Sequence, residues 1–418
     1  MHKIISKRKK LLSLSKKILV WYLKRYCLGK DSPLIATFQL THLCNFKCSM
    51  CTFWRDPQKQ TLDLGVFKSV IKDLRRLGCA YISLSGGEPL VIENILSYVD
   101  FAKKNIPFVN LVTNGYLLDK DMAKDLALME LDSLSISIDG LEKTHDQIRG
   151  VQGAFRKALG AIALMKEFAP EVKITVNTVL APWNLDELID LAGLVESLGV
   201  LHKFQPVYTH PIFDTFGDKP QGLTLGNQSR SAEGGKEKQG LVTLSVNTED
   251  TQESNIQKTN PDACYRGIRS VDSQQVYSTD WHMDKEEIGK ITQIVAYLEE
   301  KKNVANSKYY LASIPAYFSG GNYSGLFKEK CKAVHFYCEI RENARLYPCI
   351  EAIGGAGGFN LLEKSLKEIY YSMEYRDTVK KLESCRGCQK ILPICYVESR
   401  IAFPIASYLK YVLFSSGR

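Results

Sequence analysis

Short apolar runs rich in β-branched residues alternate with longer amphipathic segments between residues 35 and 206. The apolar runs predict six strands, at Ile35–Leu40, Tyr81–Ser85, Phe108–Thr113, Ser133–Ile138, Lys173–Leu180 and Lys203–Pro206. The amphipathic segments predict five helices between them, at Leu64–Leu77, Ile92–Lys104, Asp119–Leu128, Ala154–Phe168 and Leu185–Leu198. Alternating strands and helices form right-handed βαβ units, so we expect an α/β fold with a parallel sheet. Ligands should then bind at the carboxyl ends of the strands.

A polar stretch interrupts this alternation after the sixth strand. Apolar residues make up about a fifth of it, too few to offset the entropy of ordering the chain. We therefore expect residues 214–280 to be a mobile insertion. A sixth amphipathic helix at Lys285–Lys302 resumes the pattern, so the predicted alternating domain comprises residues 31–213 and 281–325, with a sheet that is either flat and doubly wound or curved as part of a barrel.

The composition is that of an ordinary globular protein, with 45% hydrophobic and 24% charged residues in 418. It excludes global disorder, a collagen-like fibre and a polytopic membrane protein. The net charge of +9 arises at the amino terminus, because residues 1–30 contain ten basic and no acidic side chains. A helix at Leu11–Tyr26 would present one broad apolar face. That pattern is typical of a helix on an anionic membrane surface, and equally of one docked on the barrel.

The remaining targeting signals are weak. No stretch reaches the roughly 18–20 apolar residues of a membrane-spanning helix, and no secretory signal peptide is recognisable. We expect a cytoplasmic protein, either free or held peripherally on a membrane. Residues 401–418 form an apolar tail that Pro404 interrupts. No nucleic acid partner is expected, since no basic patch with interleaved aromatic residues recurs along the chain.

Twelve cysteines carry the most specific chemistry, and nine of them fall in two clusters. The first cluster has the spacing C-x3-C-x2-C, with Cys44, Cys48 and Cys51 directly after the first strand. Three thiolates on such a loop can ligate three irons of a cubane and leave the fourth iron open. Structural zinc sites normally close with four ligands, so the spacing favours a [4Fe–4S] cluster.

Polar and glycine-rich turns follow the next strands. The second strand ends in Gly86-Gly87-Glu88-Pro89 and the third in Thr113-Asn114-Gly115. The fourth carries Ser137 and Asp139 and is followed by His145-Asp146 and Arg149. Asn177 and Gln205, on the fifth and sixth strands, are placed to point toward the same end of the sheet.

These motifs, in this order, resemble those of the radical SAM family. The resemblance implies a partial (β/α)6 TIM-type barrel, with Cys44, Cys48 and Cys51 holding a [4Fe–4S] cluster that S-adenosylmethionine chelates. It implies that the Gly86–Pro89 turn receives the methionyl amino group, and that Ser137 and Arg149 contact polar groups of the cofactor. Thr113, Asn114, Asn177 and Gln205 complete the expected cofactor site. One departure is Met50, where the family often has an aromatic residue that packs on the adenine.

The second cluster resembles the auxiliary iron–sulfur extensions called SPASM and twitch, and we assign it to residues 326–400. Its six cysteines are Cys331, Cys338, Cys349, Cys385, Cys388 and Cys395. Three arrangements stay open. Cys331, Cys349, Cys385 and Cys388 could hold one closed [4Fe–4S] cluster, or the six thiols could hold two open clusters. A zinc ribbon built on Cys385 and Cys388 is the third.

The resemblance implies reductive cleavage of S-adenosylmethionine to a 5′-deoxyadenosyl radical that abstracts hydrogen from a substrate. Our first hypothesis is a maturase acting on a peptide or protein. The second is a membrane-associated enzyme acting on a lipid or another small molecule, and the third a non-catalytic iron–sulfur electron carrier. A reducing protein such as ferredoxin or flavodoxin is the expected partner. No general base or substrate-binding residue can be named from the sequence.

Overall fold

A computed structural model describes most of the chain. The described residues are 16–51, 53–55, 59–207, 283–320, 330–349, 358–384 and 392. The predicted insertion and the apolar tail both lie outside them. Within the described ranges, no helix is both long enough and apolar enough to cross a bilayer.

In the part of the chain that the structure describes, nine strands form one continuous sheet. They are β1 (Ile35–Gln39), β2 (Tyr81–Ser85), β3 (Phe108–Thr113), β4 (Ser133–Ser137), β5 (Lys173–Leu180), β6 (Leu201–Pro206), β7 (Tyr337–Ile340), β8 (Arg345–Tyr347) and β9 (Phe359–Asn360). Their spatial order is β6-β5-β4-β3-β2-β1-β7-β8-β9. All pairs from β6 to β7 are parallel, whereas β8 and β9 are added in antiparallel fashion. The predicted parallel α/β fold is confirmed, and the sheet is open with β6 and β9 as its edges.

All six predicted helices of the alternating domain are present, and the structure adds helices that the pattern did not predict, one of them between β4 and β5. Residues 16–28 form α1. The others are α2 (Leu64–Leu77), α3 (Ile95–Asn105), α4 (Lys120–Leu128), α5 (Glu142–Arg149), α6 (Ala154–Phe168), α7 (Leu188–Ser197), α8 (Lys285–Glu299), α9 (Lys308–Phe318), α10 (Leu366–Tyr371) and α11 (Met373–Glu383). Asp63 and Asp119 begin α2 and α4 because each carboxylate accepts hydrogen bonds from backbone amides of the first turn.

Two predicted helices begin later than expected. A 3₁₀ turn at Pro89–Val91 delays α3 to Ile95, and another at Pro182–Glu187 delays α7 to Leu188. Both turns begin with proline, whose fixed φ suits a first turn but not a helix interior. The amphipathic pattern predicted that these two helices exist, and the 3₁₀ turns at the prolines explain why each helix begins later in the chain than predicted.

The segment with the second cysteine cluster contributes directly to the sheet. β7 pairs with β1 in parallel, with Thr37 opposite Glu339 and Phe38 opposite Ile340. The sequence pattern did not predict β7, although Cys338 and Ile340 alternate there with Glu339 and Arg341 as in a strand. The two faces of β7 therefore differ, one apolar and one charged.

Helix α1 packs at the amino ends of the central strands. Trp21 is 5% exposed and packs against Leu34, Ala80 and Phe336, which directly precede β1, β2 and β7. Its indole Nε1 donates to the Ser32 carbonyl at 2.8 Å. This contact places α1 at the end of the sheet opposite to the carboxyl ends of the strands.

Candidate active site

A cavity of about 340 Å³ lies at the carboxyl ends of the parallel strands. Residues from the ends of successive strands line it, including Gln39 of β1, Ser85 of β2, Thr113 of β3, Ser137 of β4 and Gln205 of β6. Alternation along each strand explains this, because neighbours such as Phe38 and Leu84 point into the apolar core. The volume falls within the range of small-molecule sites, about 300–1,000 Å³.

The first three clustered cysteines lie together on this cavity. Cys44, Cys48 and Cys51 all line it, and none of the three forms a disulfide. Phe46 and Ala154 pack behind them and bury the loop against the start of α6. The backbone amide of Phe46 points at Sγ of Cys44, 3.4 Å away, as amides do around ligated thiolates.

The protein alone does not stabilise these thiols as thiolates. Burial raises the pKa of Cys44 to about 11 and that of Cys51 to about 12, and it also raises the pKa of Cys48. Among the described His, Cys, Asp and Glu side chains, no group of three converges on a position for a single metal ion. An iron–sulfur cluster has different demands, since each thiolate binds its own iron and the irons supply the positive charge. The loop therefore fits a cluster better than a lone zinc ion.

Gly86 and Gly87, which follow β2, pack closely against the backbone that leads into the cysteine loop. A Cβ atom on Gly86 would lie 2.6 Å from the Thr41 carbonyl oxygen, and one on Gly87 would lie 2.8 Å from the Leu43 carbonyl carbon. The amide of Gly87 donates to Thr41 at 2.6 Å, and that of Glu88 donates to Leu43 at 2.9 Å. These amides hold the loop in place, and Gly86, Gly87 and Glu88 all line the cavity.

Glu88 joins the second and third strand ends beneath the cavity. Its buried carboxylate accepts hydrogen bonds from the Thr113 hydroxyl at 2.7 Å and from the Asn114 amide at 2.6 Å. Burial is the largest influence and raises the Glu88 pKa, while these donors oppose it. The Asn114 side chain in turn donates to Asn45 in the cysteine loop at 2.8 Å. Pro89 begins a buried 3₁₀ turn and is not among the residues that line the cavity.

Arg149 lies between the cysteine loop and the end of β4. Its Nη2 is 2.5 Å from Oδ2 of the fully buried Asp139, and its Nη1 is 3.8 Å from Sγ of Cys48. Its Nε is buried and has no hydrogen-bond partner among the described residues. One donor of the guanidinium therefore remains for a bound group.

The other residues of the motif on α5 support the fold. His145 Nδ1 accepts the Asp139 amide at 3.1 Å, and burial lowers the His145 pKa to about 3, so the ring is neutral. Asp146 caps α6 by accepting the amides of Gly153 and Phe155 at 2.6 and 2.8 Å. Only Arg149 of this helix reaches the cavity.

The remaining predicted cofactor residues lie at different depths. Ser137 and Gln205 line the cavity, whereas Asn177 is not among the lining residues. Asn177 is the register partner of Ser137 on β5, and its buried Oδ1 has no hydrogen-bond partner among the described residues. Met50 lines the cavity together with Phe53 and Trp54, which places three flat or flexible apolar groups on one wall.

Sequence reasoning missed three polar residues on the β1–β7 side of the cavity. Gln39, Glu339 and Arg341 all line it. Arg341 Nε donates to Glu339 Oε1 at 2.6 Å, while Glu339 Oε2 is buried without a hydrogen-bond partner among the described residues. The alternation of Glu339 and Arg341 with apolar residues was the available signal, but finding the site required the pairing of β7 with β1.

The second cysteine cluster is described only in part. Cys331 is buried, Cys338 is fully buried and Cys349 is partly exposed. Cys338 is the register partner of Ala36 on β1, so its side chain lies on the core face of the sheet, away from Glu339. Cys385, Cys388 and Cys395 lie outside the described residues.

A loop of three thiols over a cavity at the ends of parallel strands defines an α/β domain built for an iron–sulfur cluster and a small cofactor. Residues 38–195 match the family model of the Radical SAM superfamily, and this part of the chain is a radical SAM domain. Members of the family use a [4Fe–4S] cluster and S-adenosylmethionine, and the thiols and the free Arg149 donor fit both groups.

Curated relatives match the chain over a similar length. Mycofactocin maturase MftC of Mycolicibacterium smegmatis is 31% identical over 175 residues, 41% of this chain and 44% of the relative. Fe-coproporphyrin III synthase of Methanosarcina barkeri is 32% identical over 40% of this chain and 42% of the relative. Sporulation killing factor maturation protein SkfB of Bacillus subtilis is 31% identical over 40% of each chain. The matched part thus spans less than half of these relatives.

Solved structures share the fold over a longer stretch. SuiB of Streptococcus suis, bound to its precursor peptide SuiA, matches with a TM-score of 0.55 at 15% identity, over 88% of this chain and 73% of that one. The enzyme anSMEcpe with bound AdoMet matches with a TM-score of 0.53 at 15% identity, over 86% and 88%. At these identities the likeness shows the fold alone.

Proposed function

We propose that this protein is a radical SAM enzyme that abstracts hydrogen from a peptide or protein substrate. The observation that carries the proposal is the loop of Cys44, Cys48 and Cys51 opening onto a cavity beside Arg149. When bound, the cluster and S-adenosylmethionine supply one-electron reductive cleavage and a 5′-deoxyadenosyl radical. A reducing protein such as ferredoxin or flavodoxin would deliver the electron.

The residues of this chain would bind and shield these groups. The three thiols hold the cluster, and Arg149 offers its free Nε to the cofactor while Asp139 keeps the guanidinium oriented. Phe46, Met50 and Trp54 contribute apolar walls. Such walls exclude water and stray hydrogen donors, which a reactive radical would otherwise meet.

Two observations support a peptide as the substrate. MftC and SkfB, both about as similar to this chain as any relative described above, are named as maturation proteins. Glu339 offers a buried carboxylate oxygen without a partner among the described residues, and a peptide N–H or amino group would satisfy it. A lipid acyl chain has no donor to place there.

A small-molecule substrate is the second candidate function. It is favoured by Fe-coproporphyrin III synthase, which is 32% identical over a similar range. The membrane form of this candidate, an enzyme acting on a lipid at an anionic bilayer, is favoured by the basic amino terminus. If the protein were only an electron carrier, the cavity-lining residues Arg149, Ser137 and Gln205 would have no role.

We further propose that the carboxyl-terminal cysteines hold one auxiliary cluster on Cys331, Cys349, Cys385 and Cys388. The Cys331 amide donates to the Glu383 carbonyl at 2.9 Å, so Cys331 lies beside the end of α11, and Cys385 follows Glu383 by two positions in the sequence. Cys349 follows β8, which runs antiparallel to β7 and returns toward the start of β7, the side on which Cys331 lies. Cys338 points into the core and serves packing.

The test of the main proposal replaces Cys44, Cys48 and Cys51 together by alanine in the full chain. Anaerobic reconstitution with dithionite should give 5′-deoxyadenosine from the wild type and none from the variant. The variant should also lose about four irons per chain. A variant at the exposed Cys27 serves as the matched control and should retain both properties. Undiminished 5′-deoxyadenosine in the triple variant would refute the proposed function.

A further inference from the structure

Helix α1 has two different faces. Trp21 and Ile18 belong to a buried cluster at the amino ends of the strands, and Lys17 Nζ on the same side donates to the Cys79 carbonyl at 3.0 Å. Leu19 and Leu23, by contrast, are 58% and 50% exposed. The single broad apolar face expected from the sequence is therefore divided between the sheet and the outside.

The outer face is apolar along its length. Its exposed side chains recur at the spacing of one helical face, at Lys16, Leu19, Val20, Leu23, Tyr26 and Cys27. Tyr26 is 60% exposed, and Leu28 beyond it is 64% exposed. An exposed row of large apolar side chains with lysine at its end marks an interaction surface. We call these residues the outer face of α1.

The charges on and beside the outer face are positive. Lys16 on this face and Lys24 and Lys30 beside it are exposed or partly exposed. The nearby carboxylates Asp31 and Glu383 both contact Arg25 and His335 at 3.0–3.6 Å. These contacts also tie α1 to the body of the protein. The positive charge of the three lysines complements an anionic surface.

We infer that the outer face of α1 binds an anionic bilayer and that the cofactor cavity then faces the water. The helix contacts the amino ends of β1, β2 and β7, whereas the cavity lies at their carboxyl ends. Five residues of strand separate the two ends by about 16 Å. The cavity, whose lining includes Phe53, Trp54 and Arg341, therefore lies at the end of the sheet that is farther from the bilayer.

This orientation bears on the substrate class, and that step rests on the proposed function. A lipid in the bound bilayer could not reach a cavity on the opposite end of the sheet. A water-soluble peptide could enter it while the enzyme stays bound. The orientation therefore favours the peptide substrate over the lipid substrate.

Binding is tested with the full chain and vesicles of phosphatidylcholine containing about a third phosphatidylglycerol. The wild type should sediment with these vesicles at low salt and dissociate as salt rises, because charges are screened beyond about 10 Å at 0.1 M. Leu19→Asp and Leu23→Asp should each lower the partition coefficient at least about tenfold. Met373→Asp is the matched control, since Met373 is 77% exposed at the start of α11, and it should bind like the wild type.

A second copy of the chain is the alternative occupant of the outer face. In that case the wild type would be a dimer without vesicles, Leu23→Asp would be a monomer, and neither would sediment with vesicles. This result would overturn the inference, as would equal binding of the wild type and both aspartate variants. The assay needs neither S-adenosylmethionine nor reductant, so its failure is distinct from failure of the proposed function.

Orientation is tested by tryptophan quenching with brominated phosphatidylcholine in the same vesicles. Trp21 lies on α1 and Trp54 lines the cavity. The bound wild type should be quenched, Trp54→Phe should keep that quenching and Trp21→Phe should lose most of it. Sedimentation of Trp21→Phe verifies that it still binds. Loss of quenching in Trp54→Phe alone would place the cavity against the bilayer and overturn the orientation.

Discussion

The guanidinium of Arg149 lies 2.5 Å from the carboxylate of Asp139, which is fully buried at the end of β4. Asp139 also accepts the amide of Val179 at 2.9 Å, so helix α5 and strand β5 both hold the carboxylate. The pair fixes Arg149 beside Cys48 with one buried donor unused. The role of Arg149 in binding the cofactor can therefore be tested separately from its role in neutralising the buried Asp139.

Replacing Arg149 by glutamine should weaken S-adenosylmethionine binding. A charge-assisted hydrogen bond contributes about 1.5–3 kcal/mol, which corresponds to roughly a tenfold to hundredfold increase in Kd. Equilibrium binding to the reconstituted protein measures it. Arg156→Gln is the control, because Arg156 is exposed and pairs with Glu142 at the surface.

The same substitution leaves Asp139 buried without its cation, which typically destabilises a protein by about 3–5 kcal/mol. The double variant Asp139→Asn/Arg149→Gln should recover much of this stability in urea unfolding but not the lost affinity. Unchanged affinity in a folded Arg149→Gln variant would show that the cofactor does not use this arginine.

Replacing Gly87 by alanine should disrupt the cysteine loop. The added Cβ would lie 2.8 Å from the backbone carbonyl carbon of Leu43, which a side-chain rotation cannot relieve. We expect lower iron incorporation and slower 5′-deoxyadenosine formation. Gly160→Ala in α6 is the control, since no atom lies within 4 Å of its Cβ position, and it should stabilise the helix by about 1 kcal/mol. Normal iron content in Gly87→Ala would show that the close packing of Gly87 against the Leu43 backbone is not needed for the cysteine loop to bind iron.

Replacing Cys338 by alanine should leave the iron content unchanged. One closed auxiliary cluster predicts about eight irons per chain in the wild type, and two auxiliary clusters predict about twelve. A zinc ribbon predicts about four irons and one zinc. Because Cys338 lies on the core face of β7, we expect about eight irons in both proteins by anaerobic metal analysis. A loss of iron in Cys338→Ala would restore the two-cluster arrangement.

Two buried histidines should make the fold sensitive to mild acid. Burial lowers the pKa of His145 and of His202 to about 3, from an ordinary value of 6.5. Their contribution is therefore fully present above pH 6.5 and declines as the pH falls from 6.5 toward 3. At pH 5 each of the two histidines lowers the free energy of unfolding by about 2 kcal/mol relative to its value at pH 7.

Urea unfolding at pH 7 and pH 5 measures this loss. His202→Leu removes one of the two histidines and should therefore reduce the pH dependence of the free energy of unfolding by about half. In this variant the Thr178 hydroxyl, which contacts His202, keeps its bond to the Ile138 carbonyl. If the variant and the wild type lose equal stability, His202 is not the titrating group.

The sequence by itself determined the alternating α/β domain and the cysteine loop. Strand and helix periods are local properties, and the C-x3-C-x2-C spacing lies within eight residues. The turns at Gly86, Asn114 and Ser137 could be assigned to one end of the sheet because parallel strands share a direction. Each of these conclusions needed only neighbouring residues and the rules of βαβ connection.

Only the tertiary structure decided which distant residues contact one another and which of them line the cavity. Gly87 and Glu88 bind the backbone of the cysteine loop, about 45 residues away in the chain, so a motif alone could not reveal their partner. Glu339 enters the cavity because β7 pairs with β1 across some 300 residues. Leu19 and Ile18 are neighbours in sequence, yet the docking of Trp21 rotates one outward and the other inward. Such contacts arise from packing between distant segments, which local patterns do not encode.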